Sequence, residues 1–146
     1  MIIVSIRLLY QFPTWLQRLY RGVVWRMDSS SKVVYLTFDD GPIPEATPFI
    51  LDALDSMGIK ATFFMVGDNA CRYPHLHEEV RRRGHRIGNH TFNHIGGFRW
   101  MPCKYLDNVQ KAEDILHSGK LFRPPHGWMK PMQYHKMITD GWRVVM

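Results

Sequence analysis

The chain has 146 residues, of which 45% are apolar and 22% charged, and its formal net charge is +6. This composition is typical of a globular protein with one substantial core, and it excludes a largely disordered chain. The densest basic run, residues 81–83, ends a predicted helix, so a nucleic acid partner is not predicted. Cys71 and Cys103 are too far apart for a redox or zinc motif and are interpreted as free thiols.

Residues 1–31 begin with an apolar stretch that Arg7 interrupts. A secretory signal would have its basic residues before the apolar stretch, and a membrane span needs about 20 apolar residues, so neither is predicted. Trp15, Leu16 and Leu19 lie on one side of a short predicted helix, which we expect to pack on the main domain; an interfacial membrane anchor is the alternative. The predicted location is cytoplasmic by default, with association with the cell envelope as the alternative.

From residue 32 onward, strand-like and helix-like segments alternate about every 25 residues, which is the pattern of βα units in an α/β protein. Thr47 is predicted to cap the first helix, whose buried face would carry Ile50, Leu54 and Met57. The predicted strands cover residues 33–38, 59–66, 85–89, 121–122 and 142–146. The predicted helices cover residues 47–57, 74–83, 105–116 and 131–139. Five βα units form part of a barrel, since a closed (β/α) barrel usually takes about 200 residues or more.

Two adjacent carboxylates, Asp39 and Asp40, stand where the first predicted strand ends and a Gly-Pro turn begins. The carboxyl ends of strands are where α/β folds hold their reacting groups. Successive side chains on a strand point to opposite faces, so the two carboxylates can have different functions. We expect one to face a substrate and the other a metal ion.

His90 and His94 are four positions apart, and on a helical turn they would share one face and could bind one ion. Because the chain has eight histidines, this spacing alone is weak support. Together with Asp40, however, the pair supplies three protein ligands and leaves a fourth position open, as in catalytic zinc sites. We therefore predict a divalent metal cofactor, with Zn²⁺ preferred and Co²⁺ or Ni²⁺ as alternatives.

Three short motifs occur in order along the chain: TFDDGP from Thr37, HTFNH from His90 and RPPHG from Arg123. They resemble the first three motifs of the polysaccharide deacetylases that share the nodulation-type deacetylase domain. The resemblance runs from about residue 32 to the C-terminus. It implies a distorted, incomplete (β/α) barrel over residues 32–146, with residues 1–31 as an N-terminal extension packed on it.

The family continues to a fourth motif and to a fifth, which contributes a histidine used as general acid. This chain stops before both, so we expect a truncated member or a fragment. Its fifth strand would then form an unpaired edge of the sheet.

The resemblance also implies a role for each motif residue. Asp39 would be the general base and Arg123 its ion-pair partner, while Asp40, His90 and His94 would hold the metal. The third motif would supply the backbone N–H of His126 for the oxyanion, with Pro124 and Pro125 as stiffening residues that contact the substrate. Trp100 and Trp128 lie in the loops after the second and third motifs, and from that position we expect them to stack on sugar rings.

The predicted function is metal-dependent hydrolysis of acetyl groups on N- or O-acetylated carbohydrate, with an acetylated polysaccharide or oligosaccharide as the partner. One alternative is a catalytically impaired remnant that binds metal or glycan without efficient turnover. A metal-dependent phosphoesterase would also use aspartates and histidines, but it would favour two ions and more carboxylate ligands than these motifs contain.

Overall fold

A computed structural model describes residues 17–18, 20–27, 30 and 33–146. Five strands form one sheet in the order β1-β2-β3-β4-β5, and every neighbouring pair is parallel. The strands are β1 Thr37–Asp39, β2 Thr62–Met65, β3 Arg86–Asn89, β4 Leu121–Phe122 and β5 Arg143–Val144. The predicted α/β class, with consecutive parallel strands forming part of a barrel, is therefore confirmed.

Helices connect the strands. They are α1 Thr47–Ser56, α2 Gly67–Arg72, α3 Pro74–Arg82, α4 Pro102–Leu116 and α5 Pro131–Thr139, with short 3₁₀ turns at Gly97–Arg99 and Pro125–Gly127. Helices α1, α3, α4 and α5 each have a proline in one of their first two positions, where the missing N–H costs no hydrogen bond. Four of the five helices were predicted from the sequence, although the prediction for α4 began three residues late, at Tyr105.

Helix α1 differs from its prediction at both ends. Thr47 is the first helical residue rather than the cap, and its Oγ1 accepts a hydrogen bond of 2.9 Å from the Ile43 N–H. Met57 lies beyond the last helical residue and is 59% exposed, whereas Leu51 and Leu54 are buried. The buried face is therefore centred on Leu51, which the prediction omitted.

Strand β1 is shorter than predicted. Val33, Val34, Tyr35 and Leu36 are exposed, and β1 begins only at Thr37. Within the described ranges it is an edge strand that pairs on one side only, with β2. The apolar side chains of residues 33–36 therefore did not make this segment part of the strand.

The apolar core lies between the sheet and its helices and consists of two clusters. One contains Phe63, Met65 and Ile87 from the strands, with Leu51 and Val80 from α1 and α3. The other gathers Phe122 and Val144 from the strands together with helix and loop residues, among them Tyr105, Val109, Met137 and Val23. These strand residues alternate with others that face away, as a period of two requires.

The opposite face of the sheet borders a cavity of about 730 Å³, and no residue of α1–α5 lines it. Among the described residues, four arginines line this cavity, Arg26, Arg86, Arg123 and Arg143, and no carboxylate side chain does. Arg123 is the one that reaches the candidate site described below.

The predicted unpaired edge at β5 is wrong. Val24 forms a parallel bridge with Val145, its N–H donates to the Val144 carbonyl at 2.8 Å, and its carbonyl accepts from the Met146 N–H at 3.1 Å. Val23 joins the core beside this bridge. The division of the chain at residue 31 stays a prediction, and the predicted helical face of Trp15, Leu16 and Leu19 lies outside the described residues. None of the helices in the described ranges is long and apolar enough to cross a membrane.

Candidate active site

The three motifs meet at one edge of the sheet. Asp39 ends β1 and Asp40 follows it, His90 follows β3, and Arg123 follows β4. The carboxyl ends of parallel strands share one edge, so residues far apart in sequence become neighbours there. Asp40 turns away from the strand with a φ of 72°, which lets the two adjacent carboxylates reach different partners.

Asp40, His90 and His94 form a compact group of potential metal ligands. Oδ1 of Asp40 lies 3.0 Å from Nε2 of His94 and 3.4 Å from Nε2 of His90. One ligand atom from each residue lies within 4.8 Å of the other two. His90 is buried, His94 is half-buried and Asp40 is exposed, so the group faces solvent on one side.

The two histidines do not lie on a helical turn, so that part of the prediction is wrong. They belong to a loop in which Thr91 and His94 have positive φ angles of 66° and 54°. Asn89 Oδ1 accepts a hydrogen bond from the Thr91 N–H, and Asn108 Oδ1 in α4 accepts from the backbone N–H groups of Phe92 and Asn93. The side chains of α4 and β3 therefore shape the loop that presents both imidazoles.

His90 has a defined tautomer. Its Nδ1 lies 2.7 Å from the carbonyl oxygen of Arg123, and since a carbonyl can only accept, Nδ1 carries the proton. The lone pair of Nε2 then faces the Asp40 carboxylate, which is also an acceptor. A proton or a cation between Nε2 and the carboxylate relieves this conflict. A hydrogen bond from the other ring nitrogen, like the one from Nδ1 to the Arg123 carbonyl, is the contact that orients histidine ligands of metals.

The electrostatics of the group favour the ligating forms. When Nε2 of His90 also carries a proton, its hydrogen bond and charge lower the pKa of Asp40, and the charges of His94 and His126 lower it further, while partial burial opposes the shift. Burial lowers the pKa of His94, although the Asp40 charge acts against it. An ionised carboxylate beside a neutral imidazole is the protonation state that a metal ion requires.

Asp39 pairs with Arg123. Nη1 of Arg123 donates to Oδ1 of Asp39 and to Oγ1 of Thr37, both at 2.8 Å. The Arg123 side chain is 15% exposed and that of Asp39 is 38% exposed, so the guanidinium is mostly buried while the carboxylate is accessible to water. This arrangement holds the Asp39 carboxylate at the rim of the candidate site, apart from the Asp40 group.

The third motif forms a tight 3₁₀ turn next to the imidazoles. His126 has a φ of 60°, and its ring centroid lies 5.1 Å from that of His94. Pro124 and Pro125 are buried, and the Pro124 carbonyl accepts a hydrogen bond from the Gly127 N–H at 3.0 Å. Within the part of the chain that the structure describes, the His126 backbone N–H donates no hydrogen bond, so it is available to another acceptor.

Exposed aromatic side chains flank this edge of the sheet. Trp128 is 46% exposed and packs edge-on against Phe98 with ring centroids 5.7 Å apart. Trp100 is 41% exposed, and its carbonyl accepts a hydrogen bond from Lys130 Nζ. Both tryptophans thus present ring surface to solvent in the loops that follow the second and third motifs.

A cavity of about 300 Å³ opens beside the metal-ligand group and is lined by Asp40, Val66, Asp68, Asn69, Asn93 and His94. Asn69 Nδ2 donates to the Asp40 carbonyl at 2.8 Å. Sequence analysis assigned no role to Asn69, which lies in the unpredicted helix α2, or to Thr37. Thr37 could have been found, because it stands two residues before Asp39 and therefore shares its face of the strand.

Comparison with known proteins agrees with this arrangement. A family model described as polysaccharide deacetylase matches residues 26–137. A peptidoglycan-N-acetylglucosamine deacetylase of Bacillus cereus is 36% identical over 128 residues, which cover 85% of this chain and 60% of that protein. A chitooligosaccharide deacetylase of Azorhizobium caulinodans is 41% identical over 112 residues, covering 73% of this chain and 53% of that protein.

The fold is shared as well. A crystal structure of a peptidoglycan N-acetylglucosamine deacetylase superposes with a TM-score of 0.86 and 31% sequence identity, covering 93% of this chain and 65% of that one. The chain thus spans less than two thirds of the length of these relatives. The family match extends over most of the sequence and includes the strand-end motifs, so the chain belongs to the polysaccharide deacetylase family.

Proposed function

We propose that this chain is a metal-dependent deacetylase that hydrolyses acetyl groups on N- or O-acetylated carbohydrate. The observation that carries the proposal is the juxtaposition of two units at one sheet edge. Asp40, His90 and His94 offer three ligand atoms within 4.8 Å of one another, and beside them Asp39 is ion-paired with Arg123. A metal-ligand group and a separately held carboxylate are what metal-assisted hydrolysis needs.

The donor set fits a divalent ion such as zinc. Two imidazole nitrogens and one carboxylate oxygen are typical zinc ligands, and three protein ligands leave a position open. The Arg123 carbonyl supports this fit because it fixes the His90 proton on Nδ1 and leaves Nε2 free to ligate. Such an ion would lower the pKa of a bound water and polarise the acetyl carbonyl.

Asp39 is suited to act as the general base. Its carboxylate stands next to the metal-ligand group without belonging to it, since its hydrogen bond goes to Arg123. The planar, cationic guanidinium of Arg123 holds the Asp39 carboxylate in place and so orients it. Asp39 would accept the proton of the attacking water, while its hydrogen bond from Arg123 would keep it oriented toward that water.

The His126 turn would stabilise the oxyanion. The backbone N–H of His126 donates to no other described residue, and the positive φ at this residue turns its peptide group relative to the neighbouring prolines. A fixed N–H that is not already paired can donate to the charge that develops on the acetyl oxygen. Pro124 and Pro125 limit the motion of the loop that carries it.

The substrate class is an acetylated glycan. The related proteins are named for deacetylation of peptidoglycan N-acetylglucosamine and of chitooligosaccharides, whose common unit is an N-acetylated sugar. The exposed rings of Trp100 and Trp128 offer stacking surfaces for sugar rings, and the polar cavity beside Asp40 offers hydrogen-bonding partners for hydroxyl groups. The metal-ligand group is the one such cluster among the described residues, so nothing there supports a two-metal phosphoesterase.

The test is acetate release from an N-acetylglucosamine oligomer by the purified chain. We expect release with added Zn²⁺, loss of release with a chelator and recovery when Zn²⁺ is restored. Asp39→Asn should abolish release, and His75→Ala, which alters an exposed histidine in α3, should not. Release that is unaffected by the chelator would contradict the metal dependence, and full activity of Asp39→Asn would contradict the role of the base.

A further inference from the structure

We propose that Phe64 is a positioning residue for the Asp39–Arg123 pair, because its aromatic ring holds the Arg123 guanidinium in the orientation that contacts Asp39. The inference deepens the proposed function and rests on it, since it concerns how the proposed base is placed. Phe64 itself lies in β2 and contacts no proposed metal ligand through a hydrogen bond or ion pair.

The guanidinium of Arg123 has one buried nitrogen that lacks a hydrogen bond. Nε has no hydrogen-bond partner within the described residues, while Nη1 makes both bonds, to Thr37 and Asp39. A buried N–H without a partner is normally costly. Here the central guanidinium carbon lies 4.2 Å from the centroid of the Phe64 ring. The electron-rich face of that ring attracts the cation, so the contact with Phe64 offsets part of the cost of leaving Nε unpaired.

The sheet register places the ring next to the base. Asp39 of β1 pairs with Phe64 of β2, and Phe64 pairs with Gly88 of β3, so the three residues form one row across the sheet. A Cβ at Gly88 would lie 2.4 Å from the Phe64 ring, which means that only glycine leaves space for the ring at this position. Phe64 is 1% exposed, and its ring is therefore confined between its neighbours.

An aromatic ring suits this position better than a carboxylate or an amide. A second carboxylate would compete with Asp39 for the guanidinium and neutralise it, whereas a ring face holds the cation and leaves its donors for Thr37 and Asp39. The neighbouring Phe63 points to the other side of the sheet, where its ring stacks on Phe38 with centroids 5.1 Å apart. Phe63 thus offers a matched control on the same strand.

The first measurement uses NMR of arginine side-chain Nε–H groups in the full chain and needs no turnover. Arg123→Lys identifies the Arg123 resonance by its disappearance. The ring current of Phe64 should shift this proton upfield, and burial should slow its exchange with water. Phe64→Leu should remove the upfield shift, whereas Phe64→Tyr and Phe63→Leu should retain it. An unchanged Arg123 resonance in Phe64→Leu would overturn the inference; Phe64→Met, which keeps the side-chain volume, replaces the leucine variant if that variant does not fold.

The second measurement is steady-state deacetylation. Phe64→Leu should lower kcat by up to about a hundredfold, the effect of displacing a catalytic group by about 1 Å, with KM and zinc affinity unchanged. Phe64→Tyr should recover most of the loss, and Phe63→Leu should retain the parent kcat per folded molecule. A folded Phe64→Leu variant with the parent kcat, or a folded Phe64→Tyr variant that recovers nothing, would overturn the inference. If the parent chain releases no acetate, the proposed function fails and the NMR result alone decides the role of Phe64.

Discussion

Nδ1 of His90 lies 2.7 Å from the carbonyl oxygen of Arg123, whose guanidinium is hydrogen-bonded to Asp39. One residue therefore contacts both parts of the candidate site, the metal-ligand group through its main chain and the proposed base through its side chain. The main-chain contact survives any side-chain substitution that preserves the loop, so the two functions of Arg123 are separable by mutation.

Arg123→Met should lower deacetylation by about a hundredfold, because Asp39 loses the partner that orients it. Zinc affinity should remain that of the parent chain, since the carbonyl that orients His90 is still present. Acetate release and isothermal titration with zinc measure the two effects separately. A parallel loss of zinc binding would mean that the side chain, and not only the main chain, maintains the metal-ligand group.

Replacing Asp39 and replacing Asp40 should have different effects on zinc binding and on deacetylation. Asp40→Asn should weaken zinc binding by more than the roughly 10- to 100-fold typical of replacing a residue that only hydrogen-bonds to a ligand, because a ligand is lost outright. Asp39→Asn should keep the metal and lose deacetylation, because only the proton acceptor is removed. Elemental analysis of the purified variants distinguishes them, and equal metal contents would contradict this division of labour.

The two histidines should each be required for metal binding. His90→Ala and His94→Ala should lower zinc affinity by at least about a hundredfold, since a three-ligand site has no spare donor. His75→Ala provides the matched control, because His75 is exposed in α3 and contributes no atom to the group. Zinc titration of the three variants tests the assignment, which fails if His90→Ala binds as tightly as the control.

Sequence patterns could place these motif residues at strand ends because each signal is local: Asp39 ends β1, and Asp40, His90 and Arg123 directly follow β1, β3 and β4. The loop between His90 and His94 was not predictable in this way. Asn89 accepts a hydrogen bond from the N–H of the left-handed Thr91, and Asn108, from a helix that follows the motif in sequence, accepts one from the next N–H. Four-residue spacing suggested a helical turn, but these side-chain contacts with the backbone stabilise a different conformation.

Helix α2 was missed for a related reason. Gly67 suggested only the end of a strand, yet its N–H donates to the Thr91 carbonyl, and a Cβ there would lie 2.7 Å from the Phe92 ring. Close packing against the histidine loop therefore explains this glycine, and such packing has no local sequence signal. The role proposed for Phe64 likewise has no local sequence signal, because it depends on Gly88 of β3 and on Arg123, which follows β4.

The buried His85 should make the protein less stable as the pH falls below neutrality. Its Nδ1 accepts a hydrogen bond from the Ala61 N–H, and burial lowers its pKa, with Lys60 adding to the effect. The unfolded chain then binds a proton more readily than the folded chain. The contribution of neutral His85 to stability is therefore fully present above the unfolded pKa of about 6.5 and is lost as the pH falls through this value.

His85→Asn preserves an acceptor close to Nδ1 without a titrating group. Urea unfolding of the parent and the variant between pH 8 and pH 5, chosen to bracket an ordinary histidine pKa of about 6.5, should show a smaller loss of stability in the variant. Identical pH dependence of the two proteins would exclude His85 as the cause.

The ion-pair network around Arg83 should also make the protein less stable as the pH falls, but through protonation of a carboxylate rather than of an imidazole. Glu79 contacts Arg82 and Arg83, and these hydrogen bonds lower the pKa of Glu79 to about 2. Arg83, which directly follows α3, also contacts Asp52 and Asp55 of α1, so the network connects two helices. Because the folded pKa is below the unfolded one, the stabilisation is present above about pH 4.3 and is lost as the pH falls toward 2.

Glu79→Gln should therefore lower stability at pH 7, and the difference from the parent should shrink as the pH approaches 3. Glu78→Gln is the matched control, because Glu78 is exposed and its nearest ion-pair contact, with Arg81, is longer at 3.8 Å. Urea unfolding of the three proteins at both pH values is the measurement. An equal effect of the two substitutions at pH 7 would show that general surface charge, rather than the specific contacts of Glu79, determines the stability of this region.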